Sequence, residues 1–462
     1  MANGGASLIE RQPPTQAFQP RSTEFPYDRC FARLDLSSRK SVVVAVSGGS
    51  DSTALLHLFA DFARRRHPSL GLVAVTVDHG LRPEAADEAR QVGTMAAGLG
   101  VDHVVKRWQD GQPKAGLMEA AREARHRLLA EAAQDAGTDL VLVAHTLNDQ
   151  AETAAMRATR GTGRGGAGIA DATLYDWSTW FARPLVGVPR GALRQALDEA
   201  GHRWIEDPSN MDTRYERARV RASLHDDAVE RLSAEAQRAG FERQALGRRA
   251  AAMIDRFATA PVRGLIRLEP GLMADNDRDA VLYALRILLA QAGGQAHLPD
   301  RERSAALLDR LVSQRLRASL SRAVVDRRKA GLFIHREKRN LPALDSDGIW
   351  DGRFRISGLS GTAMSVGAPD SVTVARAGGE APDSTPASLV RASSAGLPAL
   401  WANGVCLGLA ADPRGTTCVG VVAPWARYLP AFDFAPARAV ARLIGAAKPP
   451  DLPFAGHNGP KP

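Results

Sequence analysis

Residues 42–56, VVVAVSGGSDSTALL, constrain this chain more than any other stretch. Val42 to Val46 are small or β-branched and apolar, the length and chemistry of a buried parallel strand. Ser47, Gly48, Gly49, Ser50, Asp51 and Ser52 turn the chain, and Ala54, Leu55, Leu58 and Phe59 then recur at helical spacing. A strand, a glycine turn and a helix start aim backbone N–H groups and the positive end of a helix dipole at one point. Such a point binds phosphate, and the serine hydroxyls add donors. The spelling excludes two common phosphate loops. No lysine completes a Walker Gly-x-x-x-x-Gly-Lys-Ser/Thr, and the adjacent pair Gly48-Gly49 does not make Gly-x-Gly-x-x-Gly. A carboxylate at Asp51 beside a triphosphate requires a cation between them, so Asp51 is the candidate metal ligand, for magnesium (Mg2+). A plain serine N-cap after a strand is the bland alternative.

The whole chain sets bounds around that loop. At 462 residues it calls for about two or three domains. Its 60 Lys and Arg against 51 Asp and Glu give a formal charge of +9, which favours a polyanionic partner. Cys30, Cys406 and Cys418 form no Cys-x-x-Cys pair, arguing against a zinc site, an iron–sulfur cluster or a disulfide framework. The first residues lack a signal-peptide pattern, and no apolar run approaches the roughly 18 residues of a membrane helix. The expectation is a soluble, cytoplasmic protein with no membrane partner.

Residues 1–26, rich in Gly, Pro, Gln and Ser, read as a disordered tail. From 27 to 221 strands and helices alternate, which predicts a parallel α/β sheet with nucleotide at its carboxyl edge. Gly71–Val77 is a second strand ending in Asp78-His79-Gly80, where ligands of such sheets lie. Val101–Arg107 is a third, and the helix over 118–137 carries Arg122 and Arg125 on one side, within reach of a phosphate or simply solvated. A fourth strand, 140–144, runs into His145-Thr-Leu-Asn148-Asp149-Gln-Ala-Glu152. Asp149 and Glu152, three apart at a helix start, face the same way. They can stabilise the helix dipole, hold magnesium, or bind an ammonium group and take its proton. Arg160 and Arg164 stand in a glycine-rich segment suited to closing on an anion, and Arg183 follows a further apolar element.

Past residue 221 the composition changes. Residues 222–341 are rich in Ala, Leu and Arg at helical spacing and predict an all-α segment, with a basic run from 315 to 339. Residues 342–448 break into short apolar segments split by Gly, Pro and Ser, a small β-rich (α+β) C-terminal domain. Residues 449–462 read as a second disordered tail.

Ser47-Gly-Gly-Ser-Asp-Ser52 resembles the pyrophosphate loop (PP-loop) of ATP pyrophosphatases, which split ATP into AMP and pyrophosphate while adenylating a substrate. Five further pieces follow in order: Val77-Asp-His-Gly-Leu-Arg82, Ala121-Arg-Glu-Ala-Arg125, His145 with Asp149 and Glu152, Arg160-Gly-Thr-Gly, and Glu206-Asp-Pro-Ser-Asn210. Together, over residues 40–221, they resemble the tRNA(Ile)-lysidine synthetases. The resemblance implies that ATP activates the wobble cytidine of a tRNA(Ile) with a CAU anticodon and that L-lysine displaces AMP. It implies catalytic roles for Asp51, Asp149, Glu152 and Arg125. Ser47, Gly48, Gly49, Ser50, Asp51, Ser52, Asp78 and His79 would bind the cofactor ATP, and Arg122, His145, Arg160, Arg164 and Arg183 the substrate. It leaves a homodimer open. The chain departs from the family pattern at Asn148, His126 and Ala218, where an acid, a tyrosine and an asparagine are usual. Three other readings compete: a tRNA-thiolating enzyme with the same loop, which would carry paired cysteines; an amidotransferase-type pyrophosphatase, which would need a glutaminase segment; and a non-catalytic tRNA-binding protein.

Overall fold

The computed structural model describes residues 27–80, 84–109, 116–158, 164–206, 214, 216–359, 364–379, 385–410 and 416–454. The chain divides into two compact units, Met1–Arg238 with Asp451–Pro462, and Ala239–Pro450. The tail over residues 1–26 lies outside the described residues, as do Arg160, Leu81, Arg82 and residues 207–210.

In the first unit, α1 (Tyr27–Ala32) leads into β1 (Ser41–Ala45), α2 (Ser50–Arg66), β2 (Gly71–Asp78), α3 (Ala85–Gly98) and β3 (Asp102–Arg107). Then come α4 (Leu117–Asp135), β4 (Leu140–Leu142), α5 (Leu147–Ala158), β5 (Ala172–Tyr175), β6 (Thr179–Ala182), α6 (Arg190–Glu199) and α7 (Glu216–Ser223). The strands of this unit lie in the order β5-β6-β4-β1-β2-β3. β1 pairs in parallel with β2, Val43 opposite Val73, and with β4, Val43 opposite Val141. β2–β3 and β4–β6 are also parallel, and β5 alone runs against its neighbour β6. Val42, Val43, Val44, Leu140, Val141 and Leu142 are fully buried, as expected of central strands covered on both faces. Strand order reverses between β1 and β4. The connections leaving the carboxyl ends of those two strands therefore diverge to opposite faces and open a crevice, the place where sheets of this kind bind ligands.

The second tail reading needs correction for its first residues. Asp35 N–H donates to Pro453 O across 2.8 Å, Leu34 bridges Phe454, and Phe454 is buried with the Arg33 guanidinium over its ring. Two apolar side chains, Leu452 and Phe454, buried there outweigh the loop-like composition of their neighbours.

α8 (Asp226–Phe257) crosses the division between units. The second unit continues with β7 (Ala258–Val262), β8 (Leu265–Leu268), α9 (Gly271–Ala274), α10 (Arg278–Gly293), α11 (Arg301–Ser313), β9 (Arg317–Leu320), β10 (Ala323–Arg328) and β11 (Gly331–Arg336). The all-α expectation for 222–341 is thus corrected: five antiparallel strands, in the order β7-β8-β11-β10-β9, accompany the helices. The hairpin between β9 and β10 turns on Ser321 and Arg322, at φ +55° and +60°. Two left-handed residues are what a tight hairpin requires, but Ser-Arg carries none of the usual Asn-Gly signal. Two three-stranded sheets complete the β-rich C-terminal region. β12 (Ile349–Trp350) and β13 (Phe354–Ser357) pair with β17 (Thr417–Gly420), and β14 (Met364–Gly367) pairs with β15 (Ala399–Ala402) and β16 (Val405–Leu409).

Candidate active site

The turn after β1 is held by its own hydroxyls. Ser52 Oγ donates to Gly49 O at 3.1 Å and accepts the Ser47 N–H at 3.1 Å, while Thr53 Oγ1 donates to Gly48 O at 3.1 Å. Gly48 sits at φ +85°, and a Cβ there would lie 2.5 Å from Ile205 Cδ1, so glycine is required twice over. Ile205 N–H also donates to Gly48 O at 2.8 Å. Gly49 caps α2 without a side-chain bond to the first turn. The helix start thus keeps backbone donors of the kind that receive an anion. Ser50 Oγ donates to Asp51 Oδ1 at 3.2 Å and accepts from Arg194 Nε at 3.4 Å.

The turn after β4 supplies the acids. Asp149 Oδ2 accepts from Thr146 N–H at 2.7 Å and Thr146 Oγ1 at 2.8 Å, a reciprocal cap at the start of α5. Asp149 thus caps the helix start through Oδ2, and its Oδ1 remains for other partners. Oδ1 accepts from Arg217 Nη2 at 2.7 Å and Arg190 Nη2 at 3.3 Å. Glu152, with a side chain only 1% exposed, accepts Arg221 Nε at 2.8 Å and Arg190 Nη1 at 3.3 Å on Oε1. Its Oε2 accepts Arg217 Nε at 2.7 Å and Arg221 Nη2 at 3.3 Å. Arg190 Nε reaches Asp51 Oδ2 at 2.9 Å and so ties the two turns together.

The charges follow their surroundings. Burial alone would raise the Glu152 carboxyl, but its bonds from Arg221 and Arg217 prevail and hold it below the ordinary glutamate value. For Asp51 burial prevails over Arg190 and pushes the carboxyl up. Burial works against the Arg190 cation as well, yet Asp149 and Asp51 outweigh it and keep the guanidinium charged.

Beside the acids lies a cationic face. Arg122 and Arg125 are exposed on α4, whereas Arg183 is buried after β6, its Nη1 donating to Ala170 O, Thr173 Oγ1 and Phe181 O at 3.0–3.1 Å. Burial, then Arg122 and Arg125, lower the Arg183 guanidinium to about 9. Burial followed by Arg183 and Arg125 depresses His145 far below the usual imidazole range, and burial with Arg125 lowers His79. Arg183 Nε, His145 Nδ1 and His79 Nδ1 are buried without a hydrogen-bond partner among the described residues. These three polar atoms stand beside the arginines with hydrogen-bonding capacity to spare. Asp78 is occupied locally, accepting Gly80 N–H at 2.8 Å and Arg107 Nε at 3.1 Å.

The structure therefore brings Ser47–Ser52, Asp51, Asp149 and Glu152 together, and groups Arg122, Arg125, Arg183, His145 and His79 beside them. Arg160 and the side chain of Arg164 lie outside the described residues. Sequence reasoning missed Arg190, Arg217 and Arg221 as partners of the acids. Arg217 and Arg221 had a readable signal, their i, i+4 spacing on one face of α7. Arg190 had none, since its partner Asp51 is 139 residues away. Asn148, the departure from the usual acid, accepts the Arg190 backbone N–H on Oδ1 at 2.9 Å. No group of three or more His, Cys, Asp or Glu among the described residues could hold a metal. Asp51 offers a single carboxylate, which suits a magnesium ion bound chiefly by phosphate oxygens.

A family profile described as the PP-loop domain matches residues 21–228. A tRNA(Ile)-lysidine synthase from Mesorhizobium japonicum is 47% identical over 448 residues, covering 93% of this chain and 97% of that protein. Those from Rhizobium meliloti and Brucella canis are 39% and 35% identical, covering 74% and 90% of this chain and 78% and 97% of theirs. Among solved structures, the U34-tRNA thiolase NcsA from Methanococcus maripaludis with its [4Fe-4S] cluster aligns at 16% identity and a TM-score of 0.39, over 46% of this chain and 77% of that one, too distant to bear on function. With the phosphate loop, the acid pair and full-length similarity in agreement, the chain belongs to the tRNA(Ile)-lysidine synthase family.

Proposed function

We propose that this chain is an ATP-dependent ligase that joins L-lysine to the 2-oxo carbon of the wobble cytidine of tRNA(Ile) bearing a CAU anticodon. The cytidine oxygen attacks the α-phosphate of ATP and pyrophosphate leaves. The lysine ε-amine then attacks the activated carbon, the carbon–oxygen bond breaks, AMP departs and the amine loses a proton. Ser47–Ser52 and the start of α2 bind the phosphates, and Asp51 would hold a magnesium ion that would supply positive charge there. Asp149 and Glu152 receive the lysine ammonium and take its proton, because only a neutral amine attacks. Arg125, with Arg122, Arg160, Arg164 and Arg183, offsets negative charge on phosphate and on the departing AMP, and His145 and His79 line the same face. Residues 222–341 and 342–448 grip the tRNA, in keeping with the excess of basic residues.

The observation that supports this reading is the link from loop to acids through Arg190, which gathers Asp51, Asp149 and Glu152 into one cluster. Asn148 does not weaken it. Its amide oxygen accepts the Arg190 backbone N–H and so keeps that residue in place. No described helix is long and apolar enough to cross a membrane; we place the enzyme in the cytoplasm, with a homodimer left open. The test is ATP-dependent transfer of labelled lysine to a tRNA(Ile) transcript with a CAU anticodon. Transfer accompanied by AMP release is expected; tRNA binding with neither would favour a non-catalytic role, and AMP release without transfer would point to another nucleophile.

A further inference from the structure

Three carboxylates, Asp51, Asp149 and Glu152, face three guanidiniums, Arg190, Arg217 and Arg221, so this hydrogen-bonded cluster is charge-balanced before any substrate arrives. A lysine ammonium entering that cluster finds every carboxylate engaged. It would place an uncompensated charge in a partly desolvated site unless one guanidinium releases its hold.

The distances single out which one yields. Arg217 and Arg221 grip the acid pair at 2.7–2.8 Å, while Arg190 touches Asp149 and Glu152 only at 3.3 Å. Arg190 is also the only one of the three whose side chain reaches the phosphate loop, through Asp51 at 2.9 Å. Its backbone is fixed, because it opens α6 after Pro189 and gives its N–H to Asn148 Oδ1. A guanidinium on a fixed backbone, placed between carboxylates and a phosphate site, has two alternative sets of anions. Arginine binds phosphate bidentately as it does carboxylate, so a triphosphate on the loop offers a competing set of anions.

We propose, resting on the lysine reading above, that Arg190 couples the two substrates. Without nucleotide its guanidinium occupies the acid pair and holds lysine affinity down. With a triphosphate on the loop it turns to the phosphates, and Asp149 and Glu152 are released to the ammonium. Asn148 is the positioning residue that keeps the pivot in place. The order of binding, nucleotide before lysine, follows from the geometry.

The experiment is calorimetric titration of L-lysine into the full-length protein, with and without magnesium and the α,β-methylene analogue of ATP. Wild type is expected to bind lysine about tenfold or more tightly with the analogue, the ordinary size of a coupling between two sites. In Arg190→Met, which keeps the bulk and drops the charge, lysine affinity without nucleotide should rise and the ratio should fall to about 1. Arg190→Lys keeps a cation too short to reach both anion sets and should lose most of the ratio too, which guards against a variant that does not fold. A wild type with equal affinity in both states, or folded variants that retain the full ratio, would overturn the coupling while leaving the lysine reading intact. Absence of lysine binding in any state would overturn that reading, and the coupling with it.

Discussion

Arg190 Nε stands 2.9 Å from Asp51 Oδ2, joining the first turn of α6 to the first turn of α2 across 139 residues of chain. Both side chains are largely shielded, at 15% and 19% exposure. Burial nevertheless raises the Asp51 carboxyl, so the native site bears a cost for keeping this group ionised. Asp51→Asn removes that cost. Its melting temperature is expected to equal or slightly exceed that of wild type at pH 7 while ATP-dependent turnover is lost. A clear fall in melting temperature would show that the ion pair holds the fold rather than the function.

Gly48→Ala introduces a Cβ that meets Ile205 Cδ1 at 2.5 Å, on a backbone at φ +85°. A left-handed alanine alone costs about 1–2 kcal/mol, and the clash pushes residues 202–206 off the loop. The expected result is a raised KM for ATP and a modest loss of stability, read from steady-state kinetics and thermal melts. KM should change more than kcat for lysine transfer.

The loop, the parallel strands and the acid pair were legible because each is local: run length, glycine placement and three-residue spacing suffice. What stayed hidden is what the acids touch. Spacing puts Arg217 and Arg221 on one face of α7 but does not name the acids they meet, and Arg190 reaches Asp51 only because the sheet order reverses between β1 and β4. The five-stranded sheet inside 258–336 was missed for a related reason. One of its two-residue hairpins turns on Ser321-Arg322, and its strands contain arginines that read as a charged helical face. The buried ending at Leu452–Phe454 was masked by the Pro and Gly around it.

Asp351 in the second unit receives three guanidiniums, Arg336 at 2.8 Å, Arg353 at 2.9 Å and Arg322 at 3.0 Å, and is fully buried with Arg336. Its backbone sits at φ +53°, which asparagine tolerates. Asp351→Asn therefore removes only the charge and leaves buried cations unbalanced. It should cost about 3–5 kcal/mol. Denaturant unfolding checks the value, and a loss below about 1 kcal/mol would mean that the arginines find other partners.

Acid should weaken the first unit through its buried histidines as well as its carboxylates. Burial, with His202 stacked at 3.8 Å, lowers His57 to about 3, and burial lowers His126 to about 4. Both lie below the unfolded value of 6.5, so the unfolded chain takes up protons that the native one refuses. Stability from these groups is complete above about pH 6.5 and declines as pH falls toward 4, at up to about 1.4 kcal/mol per pH unit per histidine. Thermal melts between pH 7.5 and 4 should show a steady decline that is shallower in His126→Tyr. A flat profile to about pH 4.5 would contradict the account.

The most direct test of the central claim separates the two halves of the crevice. Pyrophosphate release and lysine transfer are measured side by side, with tRNA(Ile) present, for wild type, Asp51→Ala and Glu152→Gln at a temperature where all three are folded. Asp51→Ala should lose both, and Glu152→Gln should keep most pyrophosphate release while lysine transfer falls about a hundredfold or more. Unchanged lysine transfer in Glu152→Gln, or transfer surviving in Asp51→Ala, would contradict the claim.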